Sequence, residues 1–245
     1  MLKIKKLTFV ESKNALREIP EGKLLINTLN SHSYNVAQKD PLFAEALRNG
    51  DYLIPDGAGI VMACCWLKTK SRPKERIAGW DLFTFEMQRL ETKSKREKEK
   101  CKVMFMGSSE RVLSLIKMQA KEDYPNLEVV TYSPPYKAEF CDDDNLAIIN
   151  AINQAAPDLL WIGMTAPKQE KWVYQHWQEL NIKCHVGTIG AVFDFYAGTA
   201  KRAPQWWQEH SIEWLYRLMR EPKRMWQRYV WGIPLFFWNI LKEKK

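Results

Sequence analysis

The chain has 245 residues, of which 46% are hydrophobic and 27% charged, with a formal net charge of +8. This length allows one α/β domain with an appendage, or two domains. No apolar leader follows the opening MLKIKK, and no apolar run reaches the roughly 18 to 20 residues that cross a bilayer, so we expect a cytoplasmic protein without a transmembrane helix. Five cysteines form no Cys-x-x-Cys pair, which favours reduced thiols over a disulfide framework or a zinc site.

Three segments share one pattern, an apolar strand followed by a short loop and a helical repeat, at 24–37, 103–120 and 159–177. Continuous apolar strands with helical returns are typical of parallel pairing. The pattern predicts an α/β fold with a Rossmann-like, mostly parallel sheet flanked by helices. Further strands are expected at 127–132 and 182–187, with helices near 41–49, 81–91 and 145–155. The lysine-rich stretch 92–100 is expected to be a solvated helix end or loop.

In such sheets the loops that leave the carboxyl ends of the strands gather in one crevice, where ligands bind. The residues expected to converge there are Thr28, Asn30, Gly107, Ser108, Gly163, Lys168 and Gln169.

The stretch YLIPDGAGIV, residues 52–61, places Asp56 directly after a possible strand. Pro-Asp-Gly is a common turn signature, so Asp56 alone could be a turn residue. Its position at a strand end, with Gly57 and Gly59 leaving room beside the backbone, favours a second interpretation. A carboxylate so placed could accept a proton from a hydroxyl nucleophile.

Other signals are weaker. Pro167 in GMTAPKQE is expected at the first turn of a helix, whose amino end and Lys168 could contact a phosphate or sugar. The sequence GSSERV (107–112) resembles a loose phosphate turn without matching a glycine fingerprint. Asp142, Asp143 and Asp144 could hold a metal, but an N-cap before a helix explains them more simply. His32 is unassigned.

The C-terminal residues 201–245 form a compositionally distinct segment beside a catalytic domain at 1–200. They carry ten lysines and arginines against four acidic residues, and six of the eleven tryptophans. Arg217, Arg220, Arg224 and Arg228 would share one helical face if the helix survives Pro222. The aromatic stretch 229–245, which ends in lysines, is too short to span and predicts an anchor on an anionic membrane surface.

Six motifs taken together resemble one family: TLN (28–30), PDGAGIV (55–61), ERIAGWDL (75–82), GMTAPKQEKW (163–172), GAVFDFYAGTAKRAP (190–204) and IEWLYRLMREPKRMWQRY (212–229). They are similar, in order and across nearly the whole chain, to the WecG/TagA/CpsF glycosyltransferases of bacterial surface-polysaccharide synthesis. The resemblance implies metal-independent, inverting transfer of an N-acetylhexosamine-type sugar from a UDP-sugar to a sugar on undecaprenyl diphosphate. Exopolysaccharide, capsule and teichoic acid are all possible products, and no cofactor is implied.

The resemblance also implies residue roles. Asp56 is the expected general base, and Thr28 is counted with it as a catalytic candidate. Asn30 lines the substrate crevice, Gln169 and Asp194 lie in the nucleotide-sugar region, and Arg76 of the ERIAGWDL motif is a further substrate-binding candidate. Arg217, Arg220 and Arg224 are expected to bind the lipid diphosphate, and peripheral association with the inner face of the plasma membrane follows.

Two departures from the family pattern bear on donor choice: TYSPPYKAEF lacks a Gly-Tyr-Phe pattern, and VGTIGAVF has a less compact glycine pair. Two other protein classes stay open at this stage. An NAD-binding Rossmann oxidoreductase would need a glycine fingerprint and an acidic ribose ligand, and neither is evident. A basic nucleic-acid-binding protein would spread its charge over a groove face; here it accompanies an aromatic tail, so no nucleic-acid partner is expected. A homo-oligomer is possible.

Overall fold

A computed structural model describes residues 1–209 and 212–244, apart from the side chains of Gln208, Glu209 and Arg224. Its centre is a six-stranded sheet in the order β2-β1-β6-β5-β3-β4, in which every pairing is parallel. The strands are β1 Leu24–Leu29, β2 Tyr52–Pro55, β3 Lys102–Gly107, β4 Glu128–Tyr132, β5 Leu159–Gly163 and β6 His185–Thr188. The predicted α/β fold with a parallel sheet is therefore confirmed.

Helices connect the strands and extend beyond the sheet. In chain order they are α1 Ser31–Ala37, α2 Pro41–Arg48, α3 Ala58–Leu67, α4 Gly79–Glu97, α5 Glu110–Asp123, α6 Asp142–Ala155, α7 Lys168–His176, α8 Val192–Tyr196, α9 Gln205–Glu209, α10 Glu213–Arg220, α11 Pro222–Trp226 and α12 Gly232–Lys244, with one π-helical turn at Gln227–Trp231. The acidic run at 142–144 starts α6, where Asp144 accepts from the Cys141 N–H at 3.0 Å. The aspartates thus stabilise the start of a helix, as the sequence predicted, but the helix begins three residues before Asn145 and its N-cap residue is Cys141.

The strand order creates a topological switch point between β3 and β5. From β3 the chain continues outward to β4 through α5, whereas from β5 it returns toward the other edge, to β6, through α7. The two helices pack on opposite faces, since α5 joins the core cluster of α4 and α8 while α7 joins that of α6. Loops that diverge in this way leave a crevice at the carboxyl end of the sheet.

The basic C-terminal segment does not form one helix. Helix α10 ends at Arg220, and α11 starts anew at Pro222, because proline removes a backbone donor and disfavours helical backbone in the residue before it. The condition for a single arginine face is thus not met. Arg217 and Arg220 lie on α10, Arg228 lies in the π-helical turn, and the predicted role of Arg224 concerns a side chain outside the described part.

Helix α12 packs into the α/β core. Phe236 and Ile240 are fully buried in a cluster with residues of α1 and α3, and the Glu243 carboxylate accepts from Ile4 N, Lys5 N and the Tyr34 hydroxyl at 2.7 to 3.0 Å. Thus the end of the segment 201–245 shares a hydrophobic cluster with the first strands, and the division at residue 200 stays a prediction of the sequence. Within the described residues, every helix is too short or too polar to cross a membrane.

Candidate active site

Asp56 lies at the carboxyl end of β2, where the backbone turns into α3. Its N–H donates to Leu29 O at 2.8 Å, which ties the turn to the end of the neighbouring strand β1. The next residue, Gly57, has φ +133 and would meet nothing within 4 Å if it carried a Cβ. That backbone conformation favours glycine, and the open space beside it leaves Asp56 accessible to a ligand.

Thr28 and Asn30 belong to the same corner of the sheet. Thr28 pairs with Ile54 in the β1–β2 register, two residues before Asp56, and it is half-buried. Asn30 is the N-cap of α1, where its Oδ1 accepts from Ser33 N at 3.0 Å. The structure thus brings Thr28, Asn30 and Asp56 together at adjacent strand ends, as the sequence predicted.

Arg76 and Arg217 come from different segments, and the charges of both act on Asp56. The loop that carries Arg76 is fixed to the end of β2 because Ile77 N donates to Pro55 O at 3.1 Å. Arg217 comes from α10. Glu213 joins them: its carboxylate accepts from Arg76 Nη2 at 2.8 Å and from Arg217 Nη2 at 2.9 Å.

The electrostatics of Asp56 are set by burial and by this group of charges. Burial raises the pKa of Asp56 above the ordinary value of 3.8, although Arg76 and Arg217 act in the opposite direction. Glu213 adds to the rise, and Arg228 opposes it. Three guanidinium groups therefore face two carboxylates, which leaves an excess of one positive charge beside Asp56.

The arginines themselves respond to the same partners. Burial alone would lower the pKa of Arg76, but the carboxylates of Asp56 and Glu213 raise it. In the same way burial would raise the pKa of Glu213, whereas Arg217 and Arg76 hold it below its usual value. Arg76 and Glu213 therefore stay charged near neutral pH, a suitable setting for a further anion.

Two predicted residues contribute less directly to this corner. Arg220 is exposed, and its guanidinium contacts Tyr216 of its own helix, with Nε 3.3 Å from the hydroxyl. Asp194 is exposed on α8, where its backbone carbonyl accepts from Ala200 N. The ring centre of its neighbour Phe195 lies 5.0 Å from the Arg217 guanidinium, so α8 lies beside α10.

Gly107, Ser108 and Gly163 lie at the switch point. Gly107 pairs with Gly163, and a Cβ on Gly107 would lie 2.5 Å from Gly163 O, while one on Gly163 would meet the Phe193 ring at 2.5 Å. Close packing accounts for both glycines. Ser108 has φ +60, and its carbonyl accepts from Ser133 Oγ at 2.8 Å. Gly163 at the end of β5 lies two strand spacings from β1, and Gly107 at the end of β3 lies three, or about 10 and 14 Å.

Lys168 and Gln169 start α7 beside the switch point. Lys168 Nζ donates to Lys137 O at 2.6 Å and lies over the Phe140 ring, so it contacts the loop after β4. Gln169 is buried, and its amide is fixed at both ends: Oε1 accepts from Met164 N at 3.1 Å, and Nε2 donates to Glu170 Oε1 at 2.8 Å.

The sequence did not single out three charged residues that the structure shows to be buried or close to the arginines: Glu213, Glu170 and Arg202. The i, i+4 spacing of Glu213 and Arg217 could have predicted the ion pair between these two residues. Burial raises the pKa of Glu170 to about 7, and its Oε2 is buried without a hydrogen-bond partner. Arg202 lies over the Trp80 ring, and its charge acts on Glu213, Arg76 and Arg217.

His32, which the sequence left unassigned, is half-buried, and burial together with the charge of Arg228 lowers its pKa to about 4. It is therefore neutral at physiological pH. Among residues 1–209 and 212–244, no three His, Cys, Asp or Glu side chains come together as a possible metal site.

A parallel sheet with an acid and several arginines at its carboxyl edge is typical of α/β enzymes, and its charges suit an anionic ligand. The family model for the WecG/TagA/CpsF glycosyl transferases matches residues 1–245, and the chain belongs to that family. It is thus a glycosyltransferase, and the match supports neither a dinucleotide oxidoreductase nor a nucleic-acid-binding protein.

Three curated relatives share one name. The chain is 30% identical, over 90% of its length and 80% of the relative, to the N-acetylglucosaminyldiphosphoundecaprenol N-acetyl-beta-D-mannosaminyltransferase of Bacillus subtilis (strain 168). It is 30% identical to the enzyme of the same name from Bacillus spizizenii, over 85% of this chain and 75% of the relative. The Staphylococcus aureus (strain MW2) enzyme of that name is 27% identical over 91% of this chain and 81% of its own.

Proposed function

We propose that this enzyme transfers N-acetylmannosamine from a UDP-sugar to N-acetylglucosamine carried on undecaprenyl diphosphate, with inversion and without a catalytic metal. The names of the relatives support the transferred sugar and the lipid-linked acceptor. The single observation that carries the proposal is the position of Asp56, a strand-end carboxylate held beside an excess of arginine charge.

Asp56 acts as the general base in this proposal. An acceptor hydroxyl attacks the anomeric carbon of the donor and transfers its proton to the Asp56 carboxylate as the new carbon–oxygen bond forms. The bond between that carbon and the diphosphate breaks, and its electron pair leaves with UDP. Attack opposite the leaving group, through an oxocarbenium-like centre, inverts the configuration.

Raised basicity suits Asp56 to this step. A carboxylate at the ordinary pKa is a weak base near neutral pH, and a higher pKa increases the driving force for proton transfer from the acceptor hydroxyl. The burial that raises the pKa of Asp56 therefore assists the step. Thr28, on the adjacent strand, is proposed to contact the same acceptor.

The arginines meet the negative charge that develops on the departing diphosphate. Arg76, Arg217 and Arg228 all act on Asp56 and can donate planar pairs of hydrogen bonds to phosphate oxygens. Such preorganised donors stabilise the transition state without a metal ion. Arg220 and Arg224 are proposed to bind the lipid diphosphate from the same segment.

The donor nucleotide is proposed to occupy the switch-point crevice between β3 and β5. The resemblance implies that Gln169 and Asp194 lie in the nucleotide-sugar region, and Gly107, Ser108, Gly163 and Lys168 are proposed to border the bound nucleotide. The two-sided fixation of the Gln169 amide supports a positioning role, since an immobilised group loses little entropy when a ligand binds.

We further propose that the protein acts at an anionic membrane surface on the cytoplasmic face of the plasma membrane, as a peripheral protein, because its acceptor is lipid-linked. Six tryptophans and an excess of six positive charges in residues 201–245 support this location. Self-association of the chain is compatible with this location.

A panel of UDP-sugars, incubated with N-acetylglucosamine on a short-chain prenyl diphosphate and read by mass spectrometry, tests the proposal. We expect transfer from UDP-N-acetylmannosamine, with the β product and no loss of rate in excess EDTA. A failure to transfer from every UDP-sugar would contradict the proposed donor class. A strict requirement for Mg²⁺ or Mn²⁺ would contradict the metal-independent part.

A further inference from the structure

Helices α3 and α12 lie side by side and run in the same direction. Near their beginnings, a Cβ on Gly59 would lie 3.5 Å from the Phe236 ring, and near their ends Lys244 Nζ lies 4.6 Å from the centre of the Trp66 ring. The intervals are seven residues on α3 and eight on α12, about 10 to 12 Å along each axis. Because the contacts follow in the same order on both helices, the two helices run in the same direction.

Both helices turn an apolar face outward. On α12 the buried residues Phe236 and Ile240 occupy one side, and the exposed Leu235, Trp238 and Leu241 lie on the other. The exposed Phe237 lies between the two sides. On α3 the exposed residues recur at i, i+3 and i+4. Together they form what we call the α3/α12 face, composed of Met62, Cys65, Trp66, Leu235, Trp238 and Leu241.

Lysines border this face. Lys242 Nζ lies 5.2 Å from the Trp238 ring centre, as Lys244 lies near Trp66, and Lys68 is exposed at the end of α3. Aromatic side chains with adjacent cations are the composition of interfacial helices, in which Trp lies at the headgroup level and cations meet anionic lipid. Exposed apolar side chains grouped beside cations in this way are typical of a contact site.

The α3/α12 face is also connected to the active site. Asp56 immediately precedes Gly57, the N-cap of α3. The π-helical turn at Gln227–Trp231 immediately precedes α12. This turn contains Arg228, whose charge acts on Asp56. Both helices therefore begin at the crevice and extend away from it.

We propose that α3 is a second membrane-contacting helix, which lies with α12 on an anionic bilayer and holds the Asp56 crevice at the level of the lipid headgroups. The membrane contact is thus not confined to the C-terminal segment. This inference rests on the proposed function, in which the acceptor diphosphate is attached to a lipid. A diphosphate at the bilayer surface would then meet the arginines without leaving the headgroup layer.

The native cysteines allow a direct test. Cys65 on α3 and Cys141 at the start of α6 are exposed, whereas Cys64, Cys101 and Cys184 are buried. An environment-sensitive fluorophore is attached to Cys65 in Cys141→Ser, and to Cys141 in Cys65→Ser as the matched control. Each protein is mixed with vesicles of phosphatidylglycerol and phosphatidylcholine, some carrying a lipid-borne quencher.

We expect a blue shift and quenching at Cys65 and neither at Cys141. In co-sedimentation, Trp66→Ser should bind these vesicles about tenfold more weakly than wild type. The control Tyr136→Ser removes a fully exposed aromatic side chain that lies between β4 and α6, outside the α3/α12 face, and should bind normally. An unshifted Cys65 label on protein that sediments with the vesicles would overturn the inference. So would a blue shift that appears without vesicles and grows with protein concentration, because the face would then contact a second copy of the chain.

Turnover of a short-chain, water-soluble acceptor separates the two proposals. Trp66→Ser should retain this turnover and lose rate only with the long-chain acceptor in vesicles. If the wild-type protein transferred no sugar to the soluble acceptor while the Cys65 label still shifted, the proposed function would fail and the membrane contact would stand.

Discussion

Glu213 of helix α10 accepts a hydrogen bond at 2.8 Å from Arg76, which lies in the loop between α3 and α4. The bond therefore connects the C-terminal helices to the part of the sheet edge that carries Asp56. The same carboxylate holds Arg217 at 2.9 Å. With 19% and 10% of their side-chain surfaces exposed, Arg76 and Glu213 form a pair that is largely screened from solvent. It positions both guanidinium groups toward Asp56.

The first prediction concerns this pair. Glu213→Gln removes a negative charge that raises the pKa of Asp56, so that pKa should fall. Because the base must be deprotonated, the acid limb of the pH–kcat/KM profile should move to lower pH, with about a tenfold loss of rate at the optimum from looser arginines. Initial rates across pH measure this, with exposed Glu110→Gln as the control. An unmoved acid limb would show that Glu213 has only a structural role.

The second prediction compares two arginines of one helix. Arg217 acts on Asp56, whereas Arg220 is exposed and contacts Tyr216. We expect Arg217→Ala to lower kcat by about 100-fold, the scale for loss of one donor to a developing anion. Arg220→Ala should cost less, and mainly through KM for the lipid acceptor. Equal losses of kcat in the two variants would argue against this division.

The third prediction concerns the buried acid Glu170. Its folded pKa of about 7 lies above the ordinary 4.5, so the native state binds a proton more tightly than the unfolded chain. The free energy of unfolding should therefore fall as pH rises from about 4.5 to 7, by about 3 kcal/mol. Glu170→Gln should remove most of this dependence, as urea unfolding at pH 5.5 and 8 would show. Exposed Glu128→Gln is the control, and a variant with the wild-type slope would refute the assignment.

The fourth prediction tests whether α12 belongs to the folded core. Phe236 is fully buried among residues of α1 and α3, while the adjacent Phe237 is 36% exposed. Phe236→Ala should cost about 3 to 5 kcal/mol of unfolding free energy, and Phe237→Ala much less, in thermal or denaturant unfolding. Similar small losses in both would mean that α12 is dispensable. If Phe236 behaves as expected, deletion of residues 201–245 would disturb the core as well as any membrane contact.

Much of the sheet could be predicted because its strands are buried on both faces and read as apolar runs. Each of the strands β1, β3 and β5 is followed by a short loop and a helical repeat. This pattern predicted the parallel pairing of the strands and the crevice at their carboxyl ends. The position of α12 could not be predicted. Its residues Phe236 and Trp238 are both apolar and aromatic, and only contacts distant in sequence, such as Glu243 with Tyr34, decide which side is buried.

The site was predictable to a similar extent. Asp56, Thr28 and Asn30 converge because they follow neighbouring strands. Glu213 was missed because a carboxylate one turn before Arg217 resembles an ordinary surface pair, and its second partner, Arg76, is 137 residues away. Local spacing carries no information on such a contact. The sequence did indicate that Pro222 could interrupt the helix that carries the arginines, and the structure has α10 end at Arg220 and α11 start at Pro222.

The central claim is that Asp56 is the catalytic base, and the most direct test is the turnover of Asp56→Asn. The amide is nearly isosteric but cannot accept the proton, so kcat should fall by about 100-fold or more, the usual scale for general base catalysis. UDP binding, measured by calorimetry, should not weaken, because the arginines lose an opposing charge; exposed Asp143→Asn should behave as wild type in both assays. Turnover of Asp56→Asn within a few-fold of wild type would contradict the claim.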